Sequence, residues 1–203
     1  MESSSYPTPD EVRQDLGIEF VHALVDSVDG ARDDFGSLKQ WQPDWATGYS
    51  SRFIANFAHE RIWARLTRRI DGLPGIQIHD QEPVREISHG TTFVTRVKRH
   101  HPGDRIATYP TKGSLAHWSN RAIVIPSLEQ LSLAVGYYWD RDTRSIGEAV
   151  LSLREAVDKP VWGVTLSRVV DAPTEIAWTP IEPALPEFDL SQVGIEDAEE
   201  GSA

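Results

Sequence analysis

The stretch LSLAVGYYW, residues 131–139, decides the fold. Leu131, Leu133, Val135, Tyr137 and Trp139 alternate with small or polar residues, the period that puts every second side chain on one face of a β-strand. The alternation recurs at Ala149, Leu151 and Leu153, and again at Trp162, Val164 and Leu166. The connections DRDTRSIG and VDKP are short. Short links between alternating strands predict an antiparallel meander over 131–139, 148–154 and 161–166 with one buried face. Leu133, Val135, Leu151, Leu153, Val164 and Leu166 belong to that face.

Upstream, IQIH, VREIS and TTFVTRVKRHH also read as strands, with HPGD (101–104) as a turn carrying Pro then Gly in type II order. Thr111 is placed to cap a short helix, KGSLAHWSN. The N-terminal part has the helical period instead. TPDE (8–11) is a capping box with Pro at the first helical position, and Val12, Leu16, Phe20, Val21, Leu24, Val25 and Val28 follow at helical spacing, with Gly30 as the stop. DDFGSLKQWQPDWATGYS then reads as a loop. A second helix is predicted from about 50 to 70. Phe53, Ile54, Phe57 and Ala64 point one way and Ile62, Leu66 and Ile70 another, which predicts burial on more than one side. DGLPG (71–75) breaks it. Segregated helices and antiparallel strands make an α+β fold.

The chain has 203 residues and a formal net charge of −11. The charge is uneven. After Arg168 there is no base, while Asp171, Glu175, Glu182, Glu187, Asp189, Glu196, Asp197, Glu199 and Glu200 are all acidic. Without these the chain carries 22 acids against 20 bases. The expectation is one globular domain over 1–170 and a disordered acidic tail over 171–203. No apolar run is long enough for a transmembrane helix, and residues 1–12 do not read as a secretory signal. There is no cysteine, so disulfides, thiolate metal sites and a cysteine nucleophile are excluded, and a reducing cytoplasm is the expected location.

Cofactor and metal motifs are missing. HERIW (59–63) has Trp63 where a zinc-protease helix needs its second histidine, and the loop from Asp140 lacks the oxygen ligands of a calcium site. No cofactor and no metal are expected. Two groups of polar residues remain. On the second helix Arg52, Asn56, His59 and Trp63 fall within one narrow stripe, suited to gripping a phosphate, base or carboxylate. The same spacing also suits core residues whose polar tips are satisfied locally. The second group is RVKRHHPGDRIATYP (96–110), a basic run in an acidic chain. Arg96, Lys98 and His100 share one strand face, expected to be exposed, Arg99 and His101 share the other, and Arg105 and Tyr109 lie beyond the turn. Cations around a hairpin tip suit phosphate binding, and Tyr109 suits stacking on a base. His100 and His101 are candidate acid–base groups toward an RNA 2′-hydroxyl. A solvated tip whose arginines pair with surface acids fits the same residues.

HPGDRIATYP is similar over some ten residues to the strand–turn–strand of RelE-like ribonuclease toxins. Those toxins are much shorter, and the remainder of the chain departs from them, so none of their catalytic residues carries over. ANFAHERIWARL, RVKRHHPGDRIATYPT and LAVGYYWDRDTRSIGEAVLSLREA together resemble an uncharacterised family from actinobacteria and their phages, over most of residues 50–166. That resemblance implies a mobile-element or toxin–antitoxin setting and no mechanism. The resulting expectation is a non-catalytic regulator or adaptor that binds a protein partner or RNA through the basic hairpin. An RNase-like effector is the alternative, with His100 or His101 as acid or base and Arg96, Lys98 and Arg105 stabilising charge. Oligomeric state stays open.

Overall fold

The computed structural model describes residues 6–81, 84–120 and 130–182. The meander is present as predicted. β5 (Leu131–Asp140), β6 (Ser145–Ala156) and β7 (Lys159–Val169) are consecutive antiparallel strands, with Leu133 opposite Leu153, Val135 opposite Leu151 and Leu151 opposite Val164. All six predicted core residues are buried. β1 (Ile76–Gln81), β2 (Val84–His89) and β3 (Phe93–His101) extend the sheet, and β3 lies parallel to β5. The crossover between them carries the short α5 (Lys112–His117), capped by the Thr111 side chain. β4 (Arg105–Ile106) closes the hairpin back onto β3. The result is an eight-stranded, mainly antiparallel sheet in an α+β fold.

Three expectations change. The first helix is broken at Gly17 (φ 78°) into α1 (Pro9–Leu16) and α2 (Ile18–Trp41). Gly30 does not stop α2. A methyl group there would strike the Arg65 guanidinium, which reaches across from α4 (Ser51–Ile70) to pair with Asp34 at 2.8 Å. Gly30 therefore serves close helix packing, and the predicted loop is the second half of α2 followed by α3 (Pro43–Gly48). At that corner Trp41 and Trp45 meet edge to face and stay largely exposed.

The second change concerns α4. Ile54, Ala58, Ile62, Leu66 and Ile70 form one buried stripe, whereas Phe53 and Ala64 are exposed. The extra apolar side is a local aromatic stack of Tyr49, Phe53 and Phe57.

The third is the tail. Residues 172–180 form β8, an edge strand paired with β7. Ile176 is buried, Glu175 faces out, and Pro173 and Pro180 sit near the strand ends, where an edge strand tolerates a missing N–H. The proposed tail thus begins no earlier than the end of β8; its portion from 183 onward lies outside the described residues.

α1, α2 and α4 cover one face of the sheet and bury the main core. The meander is buried on its second face too, not on one face alone: Ser132, Ala134, Ser152 and Arg154 are all buried there beneath Trp118 and the hairpin tip. Among the described residues no helix is long and apolar enough to cross a membrane.

Candidate functional site

β2 and β3 pair only from Ile87–His89 to Phe93–Thr95. Farther along, among the described residues, β3 pairs with no strand on that side until His100 meets Ile106. Where the strands separate, a cavity of about 630 Å³ opens between them and α4. Its walls are Arg52, Asn56, His59 and Glu60 from α4, Val84 and Arg85 from β2, and Arg96, Val97 and Lys98 from β3. Three residues of the helix stripe and two of the basic run, distant in sequence, thus line one cleft.

Its electrostatics are mixed. Arg85 bridges Glu60 (2.6 Å) and Asp80 (2.8 Å), and Arg96 pairs with Glu86 at 2.9 Å. Arg52 and Lys98 make no ion pair among the described residues. Burial, and then Arg96, hold the Lys98 ammonium below its ordinary pKa, and its Nζ lies 5.7 Å from the Trp118 ring centroid. Burial also lowers His59, so near neutral pH its ring is uncharged and offers one donor and one acceptor. Two cations with no ion pair among the described residues, an amide and a neutral imidazole are the donor types that a carboxylate or phosphate would need.

The fourth member of the helix stripe does not take part. Trp63 is buried and donates from Nε1 to Asp80 at 2.9 Å, the locally satisfied arrangement. The hairpin is divided among several places. Arg99 lies 5.8 Å from the Trp139 ring centroid, on the helix side of the sheet. Arg105 and Tyr109 are exposed and His101 is half-buried.

His100 shares a strand face with Arg96 and Lys98, but that face is not the exposed one expected. His100 is 0% exposed and its Nδ1 lies 2.7 Å from Asp104, whose other oxygen takes a 2.8 Å bond from Arg154. Asp104 adopts φ 52° directly after Gly103 at φ 70°, which turns its carboxylate inward over Gly163. The HPGD turn therefore secures the hairpin to β6 and β7. Sequence reading missed Asp104 and Arg154. The available signal was Arg154 in phase with Ser152, on the face opposite Leu151 and Leu153.

Burial in this region has a pH consequence. It lowers His89 to about 4 and His117 to about 3, and it lowers His100 against the pull of Asp104. A histidine depressed in the folded state leaves stability intact above its unfolded pKa near 6.5. That stability is lost as pH falls from there toward the folded value. At pH 5, His89 and His117 each cost about 2 kcal/mol. Urea unfolding should therefore show the protein weaker by about 4 kcal/mol or more at pH 5 than above pH 7. Equal stability at both pH values would mean that these rings are not held neutral.

Comparison with known protein families, curated proteins and solved structures finds no match to this chain.

Proposed function

We propose that the protein is a non-catalytic adaptor or regulator whose cleft takes an acidic segment of a partner protein. The observation that carries this reading is the convergence of Arg52, Asn56, His59, Arg96 and Lys98 on one cavity, with Arg52 and Lys98 in no ion pair among the described residues. The choice of an acidic peptide over RNA rests on what else lines and borders the cleft. Glu60 lines it and Glu86 accepts from Arg96 beside it, so a continuous phosphate backbone would run past two carboxylates. A peptide places its carboxylates singly and can set an apolar side chain on the half-buried Val84.

An RNase-like effector needs an imidazole within hydrogen-bond reach of a 2′-hydroxyl. His100 is enclosed with Asp104, so of the two hairpin histidines only His101 is open to that role. The resemblance to the actinobacterial and phage family favours a mobile-element or toxin–antitoxin setting, and the lack of cysteine agrees with a reducing cytoplasm.

The test is a titration of the full chain with a Glu-rich dodecapeptide and with a single-stranded RNA of equal length. The peptide is expected to bind more tightly than the RNA. Arg52→Glu should weaken peptide binding tenfold or more, about 1.4 kcal/mol. Because Arg52 is exposed and makes no ion pair among the described residues, folding stability should change by no more than about 0.5 kcal/mol. Tighter RNA binding that responds to Arg52→Glu would transfer the cleft to RNA. Unchanged peptide affinity in the variant would remove the cleft from the function.

A further inference from the structure

We propose that the chain carries its own competitor for the cleft: the acidic segment 187–200 occupies it in cis and must be displaced by the partner. The proposal rests on the reading of the cleft as a receptor for an acidic peptide. Three observations carry it further.

The first is charge. Glu187, Asp189, Glu196, Asp197, Glu199 and Glu200 lie in a stretch with no Lys or Arg, and Leu190, Val193 and Ile195 interrupt them. This is the mixture of single carboxylates and apolar side chains that the cleft walls suit.

The second is where the segment starts. After β8 the Ile181 N–H donates to the Gly163 carbonyl at 2.8 Å. A methyl group on Gly163 would meet both the Asp104 carboxyl and the Ile181 side chain. Ile181 and the hairpin tip are therefore neighbours above the same glycine. The chain leaves the sheet beside the turn that carries Arg105 and His101, although β7 and β3 are not adjacent strands.

The third is length. Asp104 lies 2.7 Å from His100 Nδ1, and Lys98 is two residues from His100 on the same strand face, roughly 7 Å at the strand rise. From Glu182 to Glu187 the chain spans at most roughly 17 Å, enough for the tip. Glu196 and Glu200 are 14 and 18 residues beyond Glu182, a maximum reach of roughly 45–60 Å. Every acid of the segment is thus within reach of the cleft. A tether of this kind gives a local concentration of about 1 mM. Against an intrinsic Kd of about 100 μM for an acidic peptide, it would weaken an external competitor about tenfold.

The experiment uses the full chain and a full-chain variant in which the six acids become amides: E187Q, D189N, E196Q, D197N, E199Q and E200Q. The probe is the labelled Glu-rich dodecapeptide. At about 0.01 M salt the amide variant should bind it about tenfold more tightly than the wild-type chain. The difference should close by about 1 M salt, where the Debye length is about 3 Å. Equal affinity of both chains, each still sensitive to Arg52→Glu, overturns the competitor and leaves the cleft reading standing. Binding by neither chain overturns the cleft reading itself, and the competitor with it.

Discussion

Gly136→Ala is expected to cost at least about 3 kcal/mol, the largest loss from any single added methyl group in this protein. Gly136 is on β5 opposite Lys98 of β3, with φ 151°. A Cβ there would fall inside the carbonyl oxygen of Lys98 and press on the rest of that residue's backbone. Only backbone faces it, so no side chain can swing aside. The two strands form the one parallel pair in the sheet, and separating them moves Lys98 out of the cleft wall. Gly36→Ala is the matched control. Gly36 lies inside α2 with open space around it, so alanine should stabilise by about 0.5–1 kcal/mol. Denaturant unfolding of both variants checks the pair of signs, and a neutral Gly136→Ala would contradict the close approach of β3 and β5.

Asp104→Ala is expected to destabilise by about 3–5 kcal/mol. Arg154 is 0% exposed and Asp104 is the only carboxylate within ion-pair distance of it among the described residues. Removing the acid leaves a buried guanidinium with no counter-charge, and it also leaves His100 Nδ1 without its acceptor. The double variant Asp104→Ala, Arg154→Met should recover a substantial part of the loss, because an apolar pair carries no unpaired charge. A double variant that is less stable than Asp104→Ala would show that the guanidinium contributes through its other bonds, to the Val157 carbonyl and Ser152, more than it costs.

The meander was legible because its signal is local. Leu133, Val135, Leu151 and Leu153 alternate strictly, and short links leave hairpins as the one economical connection. Gly30 was misread because a glycine after a helical run has two meanings: a stop, or room for a neighbouring helix. What chooses between them is Arg65, a residue 35 positions away. Residues 172–180 read as tail because they belong to a stretch with no base after Arg168 and nine acids over 171–203, although their own acids and prolines are only Glu175, Pro173 and Pro180. An edge strand accepts both, since acids discourage pairing with other chains and proline at a strand end needs no ladder bond.

The site was half legible. Residue type and spacing isolated Arg52, Asn56 and His59 on one helix and Arg96 and Lys98 on one strand. Nothing in either stretch says that the two face each other, since that juxtaposition follows from β2 parting from β3 after three paired residues. The exposed face assigned to His100 failed for a related reason. Alternation places Arg96, Lys98 and His100 on one side, but whether that side meets water depends on Trp118, Asp104 and Arg154, which arrive from other elements.

The most direct measurement of the central claim is an amide-resonance map of the full chain during titration with the Glu-rich dodecapeptide. The account predicts the largest shifts at Arg52, Asn56, His59, Arg96 and Lys98, lost in the Arg52→Glu variant. Shifts centred instead on the exposed aromatic corner at Trp41, Trp45 and Phe53, with the cleft amides unmoved, would contradict it.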